Sequence, residues 1–115
     1  MHEYSIVQAL LAQVIAEART RGATTVRRIE VSIGELAGIE IDLLKTAFEH
    51  FRERTVCEKS ELVLTRIAAA WACRGCGRKR EREQYLRCEN CERPFDLVKG
   101  DEIMLDKIDM EVPDV

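Results

Sequence analysis

Four of the five cysteines form two pairs with the spacing of a metal site. Two residues separate Cys73 from Cys76, two separate Cys88 from Cys91, and eleven lie between the pairs. Two residues between thiolates let both sulfurs converge from one tight turn onto a tetrahedral ion, and a second turn completes the ligands. We therefore predict a structural zinc ion held by these four cysteines, with no open position for a catalytic water.

Other chemistries of paired cysteines fit this pattern less well. A redox pair needs only one Cys-x-x-Cys motif, and an iron–sulfur cluster would use the same ligands, but the short symmetric turns favour zinc. Gly75 and Gly77 suit a chain that must turn sharply around sulfur. Cys57 stands apart, and we expect it to be a buried or half-buried free thiol.

The N-terminus carries a second set of possible metal donors. A free α-amine, the amide nitrogen of His2 and its imidazole can chelate one ion, and Glu3 adds a further amide and a carboxylate. Nitrogen-rich, roughly planar donor sets suit Ni(II) or Cu(II). Position alone does not decide for a metal site, because a histidine at a chain end is more often a mobile residue. Both interpretations stay open on this pattern.

Helical and strand patterns surround these groups. Apolar residues recur at spacings of three and four over 4–21 and again over about 41–54, which predicts two amphipathic helices. Between them, apolar and polar residues alternate over 26–33, as in a half-buried strand. His50, late in the second helix, is expected on the solvated surface. Glu35 lies in a loop between two glycines and is expected to have a structural role.

Two longer strands are predicted on either side of the cysteine segment. One covers 61–71 and leads to Cys73, and the other covers 102–112. In the second, the apolar alternation slips by one residue near Asp106-Lys107, which suggests a β-bulge. We expect these strands to pair antiparallel. The predicted fold is α+β: two helices packed on a small mixed three-stranded sheet, with a protruding zinc-ribbon-like module of two Cys-x-x-Cys turns.

Composition limits the class of protein further. The 115 residues are 46% hydrophobic and 34% charged, with a net charge of -3, so a compact core and a polar surface are both expected. No segment is apolar for long enough to span a membrane, and the first residues do not resemble a signal peptide. The expected location is the cytoplasm, and the chain is expected to be a monomer or a weak homodimer.

Three motifs in a fixed order resemble those of a known family. They are Met-His-Glu-Tyr-Ser at residues 1–5, Ile-Gly-Glu-Leu-Ala-Gly at 33–38, and the paired cysteines. Together they look like the HypA/HybF family of hydrogenase maturation factors, which are nickel metallochaperones. The similarity also includes Ala-Phe-Glu at 47–49 and Glu-Ile at 102–103, so it covers essentially the whole chain.

The resemblance implies a function and its sites. Family members deliver nickel to nickel–iron hydrogenase, some also serve urease, and they work with a nickel-binding GTPase, HypB. Nickel would be held by His2 and its backbone, with Glu3 beside it and Glu40 as a further acid. The four cysteines match the family's zinc ligands. Residues 1–71 and 101–115 would form the nickel-binding domain and 72–100 the zinc-binding domain. Nickel would be cargo, zinc a structural cofactor, and the hydrogenase large subunit the recipient.

Two other functions are disfavoured. A nucleic-acid-binding or protein-binding zinc ribbon is suggested by Tyr85 and a basic run formed by Arg74, Arg78, Lys79, Arg80, Arg82 and Arg87. Glu81 and Glu83 interrupt that run, and the rest of the chain is acidic, so nucleic acid is not the expected partner. An enzyme is not expected, because the sequence has no nucleophile–base pairing and no phosphate-binding glycine loop.

Overall fold

The structure is a computed structural model that describes residues 3–80, 88 and 94–113. Its helices and strands, in chain order, are α1 Glu3–Thr20, β1 Thr25–Gly34, α2 Ile41–Phe51, β2 Glu61–Ile67, β3 Ala70–Cys73, β4 Lys79–Arg80, β5 Phe95–Lys99 and β6 Ile103–Glu111. The strands form two three-stranded sheets, with the orders β2-β1-β6 and β4-β3-β5.

Both predicted helices are confirmed. Each buries one apolar stripe, formed by Val7, Leu10, Leu11, Val14 and Ala18 in α1 and by Leu44, Ala47 and Phe48 in α2. Apolar residues spaced three and four apart lie on one face of a helix, so the pattern in the sequence accounts for each stripe. The second helix ends at Phe51, three residues earlier than expected, and the amide of Arg52 closes its last turn on the carbonyl of Phe48. Neither helix of the described chain has the length and apolarity to cross a bilayer.

β2 runs parallel to β1. The amide of Val26 donates to the carbonyl of Val56 at 3.0 Å, and the amide of Glu35 donates to the carbonyl of Ile67 at 2.8 Å. The two hydrogen bonds advance in the same direction along both segments, which is the pattern of parallel neighbours.

β6 runs antiparallel to β1. The amide of Thr24 donates to the carbonyl of Glu111 at 2.9 Å, and the amide of Gly34 donates to that of Glu102 at 2.8 Å. These bonds advance in opposite directions. The first sheet is therefore mixed, and the predicted α+β class with two helices and a mixed three-stranded sheet is confirmed.

Two details of the strand prediction are wrong. The segment 61–71 is not one strand, because it breaks at residues 68–69 and continues as β3 in the other sheet. The strands at 61–67 and 103–111 do not pair with each other, because β1 lies between them. Burial follows this order: the apolar side chains of the central strand β1 are at most 2% exposed, whereas those of β2 and β6 are half-buried or, at Met104, exposed.

The chain divides into two compact units. The first comprises Met1–Val31, Ile39–Thr65 and Met104–Val115, and the second comprises Ser32–Gly38 and Arg66–Ile103. The loop after β1 thus belongs to the unit that contains the cysteine segment, a grouping that the sequence did not indicate. The division into a nickel-binding domain at 1–71 and 101–115 and a zinc-binding domain at 72–100 stays a prediction.

Within the second unit, three chain segments cross with almost no space between them. A Cβ atom on Gly34 would lie 2.2 Å from the carbonyl carbon of Gly100. A Cβ atom on Gly100, whose φ is +107°, would lie 2.5 Å from the Cα atom of Ala69. Ala69 itself is fully buried. We call these three residues the glycine crossing, and only small residues fit there.

Gly34→Ala should therefore destabilise the protein by about 3 kcal/mol, because the new methyl group overlaps backbone that cannot move independently. Gly22→Ala is the control, since Gly22 has a φ of +68° but no heavy atom near its Cβ position. It should cost only the left-handed backbone penalty of about 1 kcal/mol. Urea unfolding of both variants measures the difference, and equal losses would contradict a steric role for the crossing.

Candidate metal sites

The first cysteine pair sits on a tight turn between two strands. Cys73 is the last residue of β3, and its carbonyl accepts from the amide of Gly77 at 3.0 Å, while its own amide donates to the carbonyl of Arg78 at 2.8 Å. Gly77 has a φ of 74°, which a side chain would disfavour. The amide of Gly75 points at the sulfur of Cys73 at 3.3 Å. The turn thus directs backbone N–H groups toward sulfur, as a zinc-binding turn requires.

Three of the four predicted zinc ligands come together. The sulfurs of Cys73, Cys76 and Cys88 all lie within 4.8 Å of one another, and those of Cys76 and Cys88 are 3.8 Å apart. A tetrahedral zinc ion with bonds of about 2.3 Å places its sulfurs about 3.8 Å apart, so the donors fit the ion. Cys73 and Cys88 are buried and Cys76 is exposed. Cys91, the fourth predicted ligand, lies outside the described residues.

The backbone also prepares Cys73 for a metal. Backbone hydrogen bonds lower the pKa of the Cys73 thiol from 9.0 to about 7. The one from Cys76 has the largest effect, the one from Gly75 adds to it, and burial acts in the opposite direction. A zinc ligand must be a thiolate, so a lowered pKa reduces the cost of deprotonation at neutral pH.

The small sheet holds the turn in place. β3 pairs antiparallel with β5, with Trp71 opposite Leu97 and Cys73 opposite Phe95. Next to the turn, the guanidinium of Arg74 makes two hydrogen bonds to the carboxylate of Asp96, at 2.7 and 3.0 Å. Both side chains are exposed, so this pair orients the turn more than it stabilises the fold. Asp96 was not singled out in the sequence, because nothing in local spacing connects it with Arg74.

Replacing Cys76, Cys88 or Cys91 by alanine should remove zinc, because three thiolates leave the tetrahedral site incomplete. Metal analysis after dialysis should find one zinc per chain in the unaltered protein and a clear loss in each variant.

Cys57→Ala is the matched control. As predicted, Cys57 is a buried thiol, and burial raises its pKa, which disfavours the thiolate that a metal needs. Its loss should cost about 1 kcal/mol of stability and leave the zinc content unchanged. Full zinc in the Cys88→Ala protein would overturn the assignment of the site.

At the predicted nickel site, the structure brings the side chain of Glu3 into contact with the backbone of Glu40. Glu3 starts α1 and is only 3% exposed, and its carboxylate accepts from the backbone amide of Glu40 at 3.1 Å. Glu40 is the residue before α2, and its carbonyl accepts the first bond of that helix from Leu44. A carboxylate at a helix N-terminus is favoured by the helix dipole. Two of the three predicted nickel residues are thus neighbours, and His2 lies outside the described residues.

The environment of Glu3 favours its charged form. Hydrogen bonds lower the pKa of the Glu3 carboxyl from 4.5 to about 2. The hydrogen bond with the N-terminal amine has the largest effect, and the one from the backbone amide of Glu40 has the next largest. Because the pKa is lower in the folded state, the stabilisation is complete above pH 4.5 and is lost as the pH falls toward 2.

Glu3→Gln keeps the shape of the side chain but removes its charge. The free energy of unfolding should fall at neutral pH, and the deficit relative to the unaltered protein should shrink as the pH approaches about 2, where Glu3 itself becomes neutral. Urea unfolding followed by circular dichroism across this range measures the deficit. A deficit that does not change with pH would contradict a role for the charge.

Other residues singled out in the sequence take simpler positions. Glu35 accepts from the amide of Ala69 at 3.0 Å, which is the structural role expected of it. His50 is exposed, as predicted, and its ring meets that of Phe51 edge to face at 5.1 Å. Of the basic run, Arg74, Arg78 and Lys79 are exposed and Arg80 belongs to β4, whereas Arg82, Tyr85 and Arg87 lie outside the described residues.

A mixed α+β fold with three thiols close enough to share one ion is typical of a small metal-binding protein. Over residues 1–110, the chain matches the family model described as hydrogenase/urease nickel incorporation, metallochaperone, HypA. The chain therefore belongs to the HypA family of nickel metallochaperones for hydrogenase maturation, as its three motifs predicted.

Individual relatives are similar to this chain along nearly their whole length. The hydrogenase maturation factor HypA of Aquifex aeolicus is 38% identical over 97% of this chain and 99% of its own, and that of Wolinella succinogenes is 39% identical over 99% and 98%. The solution structure of the nickel metallochaperone HypA from Helicobacter pylori superposes with a TM-score of 0.74 at 30% identity, covering 98% of this chain and all of that one.

Proposed function

We propose that this chain carries Ni(II) at its N-terminus and delivers it, in the cytoplasm and with a HypB-like GTPase, to the large subunit of a nickel–iron hydrogenase. His2 is the central ligand, together with the terminal backbone, and Glu3 and Glu40 complete or adjoin the site. Zinc bound by Cys73, Cys76, Cys88 and Cys91 has a structural role.

The contact between Glu3 and Glu40 is the observation that supports the nickel site most directly. The two residues are 37 positions apart, yet the carboxylate of one accepts from the amide of the other. This bond ties the start of α1 to the start of α2, so the residue preceding Glu3 is attached to an anchored point. The exposed carboxylate of Glu40 is next to that point in the chain.

The donor types suit a cargo ion. Amine, amide and imidazole nitrogens with carboxylate oxygens are donors that Ni(II) accepts, whereas the thiolate cluster suits zinc. Two chemically different donor sets in one chain let each ion find its own site. An N-terminal site with donors from the chain end also permits ligands to be exchanged one at a time, which favours transfer to a partner.

The thiolates support a scaffold role for zinc. A site closed by four sulfurs leaves no coordination position for water or substrate, so the ion would fix the turn at Cys73–Cys76 relative to the segment that carries Cys88. Binding to such a site also stabilises the folded state, since the unfolded chain does not present the ligands together.

His2→Ala should weaken nickel binding by more than about tenfold. Removing a residue that only hydrogen-bonds to a metal ligand already lowers metal affinity by about tenfold, and His2 is proposed to be a ligand itself. Calorimetric titration of untagged, zinc-loaded protein measures the effect. Residues added before Met1 should weaken binding as well, because they convert the α-amine into an amide. In a bacterial strain that lacks its own HypA, the His2→Ala protein should fail to restore hydrogenase activity in limiting nickel.

His50→Ala is the matched control, because His50 is the other histidine of the chain and is exposed on α2. It should bind nickel and restore hydrogenase activity like the unaltered protein. Nickel binding at full affinity and stoichiometry by the His2→Ala protein would overturn the N-terminal site. Unimpaired hydrogenase activity with lost nickel binding would overturn the delivery role.

A further inference from the structure

One cavity in the first unit combines an apolar lining with two arginines. It lies between the end of α1 and the segment that follows α2, and its volume is about 480 Å³. A cavity of this size suits a small organic ligand. Its apolar lining comes from Ile15, Ala18, Ala23 and Val56. Arg19 and Arg54 are its charged residues, and none of its described lining residues is an acid.

The two arginines of this cavity lack a counter-charge. Residues 19–28 contain four arginines and no acid. Three of these arginines form ion pairs, namely Arg21–Glu17, Arg27–Glu111 and Arg28–Glu30. Arg19 is the fourth, and in the described part of the chain neither its side chain nor that of Arg54 forms an ion pair or a hydrogen bond. Two exposed positive charges without a partner therefore border one apolar cavity.

The end of α1 does not cancel this positive charge. Free carbonyls at a helix C-terminus repel an anion. Here the amide of Ala23 donates to the carbonyl of Ala18 at 2.8 Å, and the amide of Gly22 donates to that of Arg19 at 3.2 Å. Both carbonyls therefore have a hydrogen-bond donor, and the guanidinium groups dominate the charge of the cavity.

The segment that carries Arg54 has a fixed backbone. The hydroxyl of Thr55 donates to the carbonyl of Arg52 at 2.7 Å and accepts from the amide of Cys57 at 3.0 Å. The carbonyl of Val56 accepts from an amide of β1 at 3.0 Å. The cavity is thus preorganised on this side, which lowers the entropy that a ligand must lose on binding.

Two guanidinium groups match a phosphate better than a carboxylate. Each guanidinium offers a planar fork of N–H donors that can hold two oxygens of one group. A phosphate monoester carries a charge of about -1.5 to -2 near neutral pH and three strong acceptor oxygens, so both forks can hold it at once. A carboxylate has one charge and two oxygens, which a single arginine already satisfies.

We propose that this cavity binds a small organic phosphate monoester, with the phosphate between Arg19 and Arg54 and the organic part on the apolar lining. The proposal goes beyond nickel delivery. Arg19 follows Glu3 by sixteen residues in α1, which is about 24 Å along a helix, so a small ligand in the cavity does not reach the proposed nickel donors.

Arginines at these positions also have simpler explanations. A cation in the last turn of a helix is favoured by the helix dipole, which would account for Arg19 by itself. An exposed arginine such as Arg54 is commonly solvated. Neither explanation involves the apolar lining, and neither predicts a ligand whose binding depends on both arginines.

Titration with phenyl phosphate, followed by the amide NMR signals of isotope-labelled protein, tests the proposal. The protein is zinc-loaded and nickel-free, and the ionic strength is held constant. The amides of Ala23 and Thr55 should shift and saturate with a Kd of roughly 1 mM or below. Inorganic phosphate should bind at least about tenfold more weakly, because it leaves the apolar lining uncovered. Phenol should also bind at least about tenfold more weakly, because it lacks the charge.

Arg19→Ala and Arg54→Ala should each weaken phenyl phosphate binding by at least about tenfold, since each removes charge-assisted hydrogen bonds. Arg21→Ala is the matched control, because Arg21 is also exposed at the end of α1 but pairs with Glu17 and does not line the cavity. It should bind phenyl phosphate like the unaltered protein. Arg19→Ala should leave nickel affinity unchanged, which separates this site from the delivery function.

Three results would refute the site. The first is the absence of saturable shifts when phenyl phosphate is added to the unaltered protein. The second is equal affinity for phenyl phosphate and inorganic phosphate. The third is an equal loss of binding in the Arg21→Ala and Arg19→Ala proteins, which would mean diffuse attraction to a basic surface. Circular dichroism and zinc content, unchanged in all variants, show that the fold is intact.

Discussion

The close passage of backbone at the glycine crossing constrains much of this small chain. Gly34 ends β1, Ala69 lies between β2 and β3, and Gly100 lies between β5 and β6. Gly34 leads into the loop before Glu40, Ala69 into the strand that ends in Cys73, and Gly100 into β6. Because backbone atoms meet there without intervening side chains, the three segments cannot shift independently.

Two kinds of donor set lie on different kinds of structure. Cys73 and Cys76 sit on a turn between two paired strands, fixed by two backbone hydrogen bonds and by one from the Gly75 amide to the Cys73 sulfur, which suits an ion that stays. The proposed nickel donors sit where a helix begins, held by one buried carboxylate. Sulfur donors differ in hardness from nitrogen and oxygen donors, and under the proposed assignment this difference would separate the two ions.

Local patterns predicted the elements well but not their arrangement. Apolar spacing identified α1, α2 and β1 to within a few residues, since burial of one face governs both the pattern and the structure. The break at Ala68-Ala69 was missed because a run of small residues fits a strand as well as a connection. Strand order was missed because alternation reports which face is buried and not how many neighbours a strand has. The bonds Glu3–Glu40 and Arg74–Asp96 join residues far apart in sequence, and no local signal marks them.

The position of Trp71 in β3 makes it useful as a fluorescence probe. It is the single tryptophan of the chain, half-buried in β3 opposite Leu97 and two residues before Cys73. Indole emission depends on the polarity around the ring, so the tryptophan fluorescence of this protein arises in the strand that ends in Cys73. The chain thereby carries its own optical reporter for the state of that sheet, readable without a dye or a label.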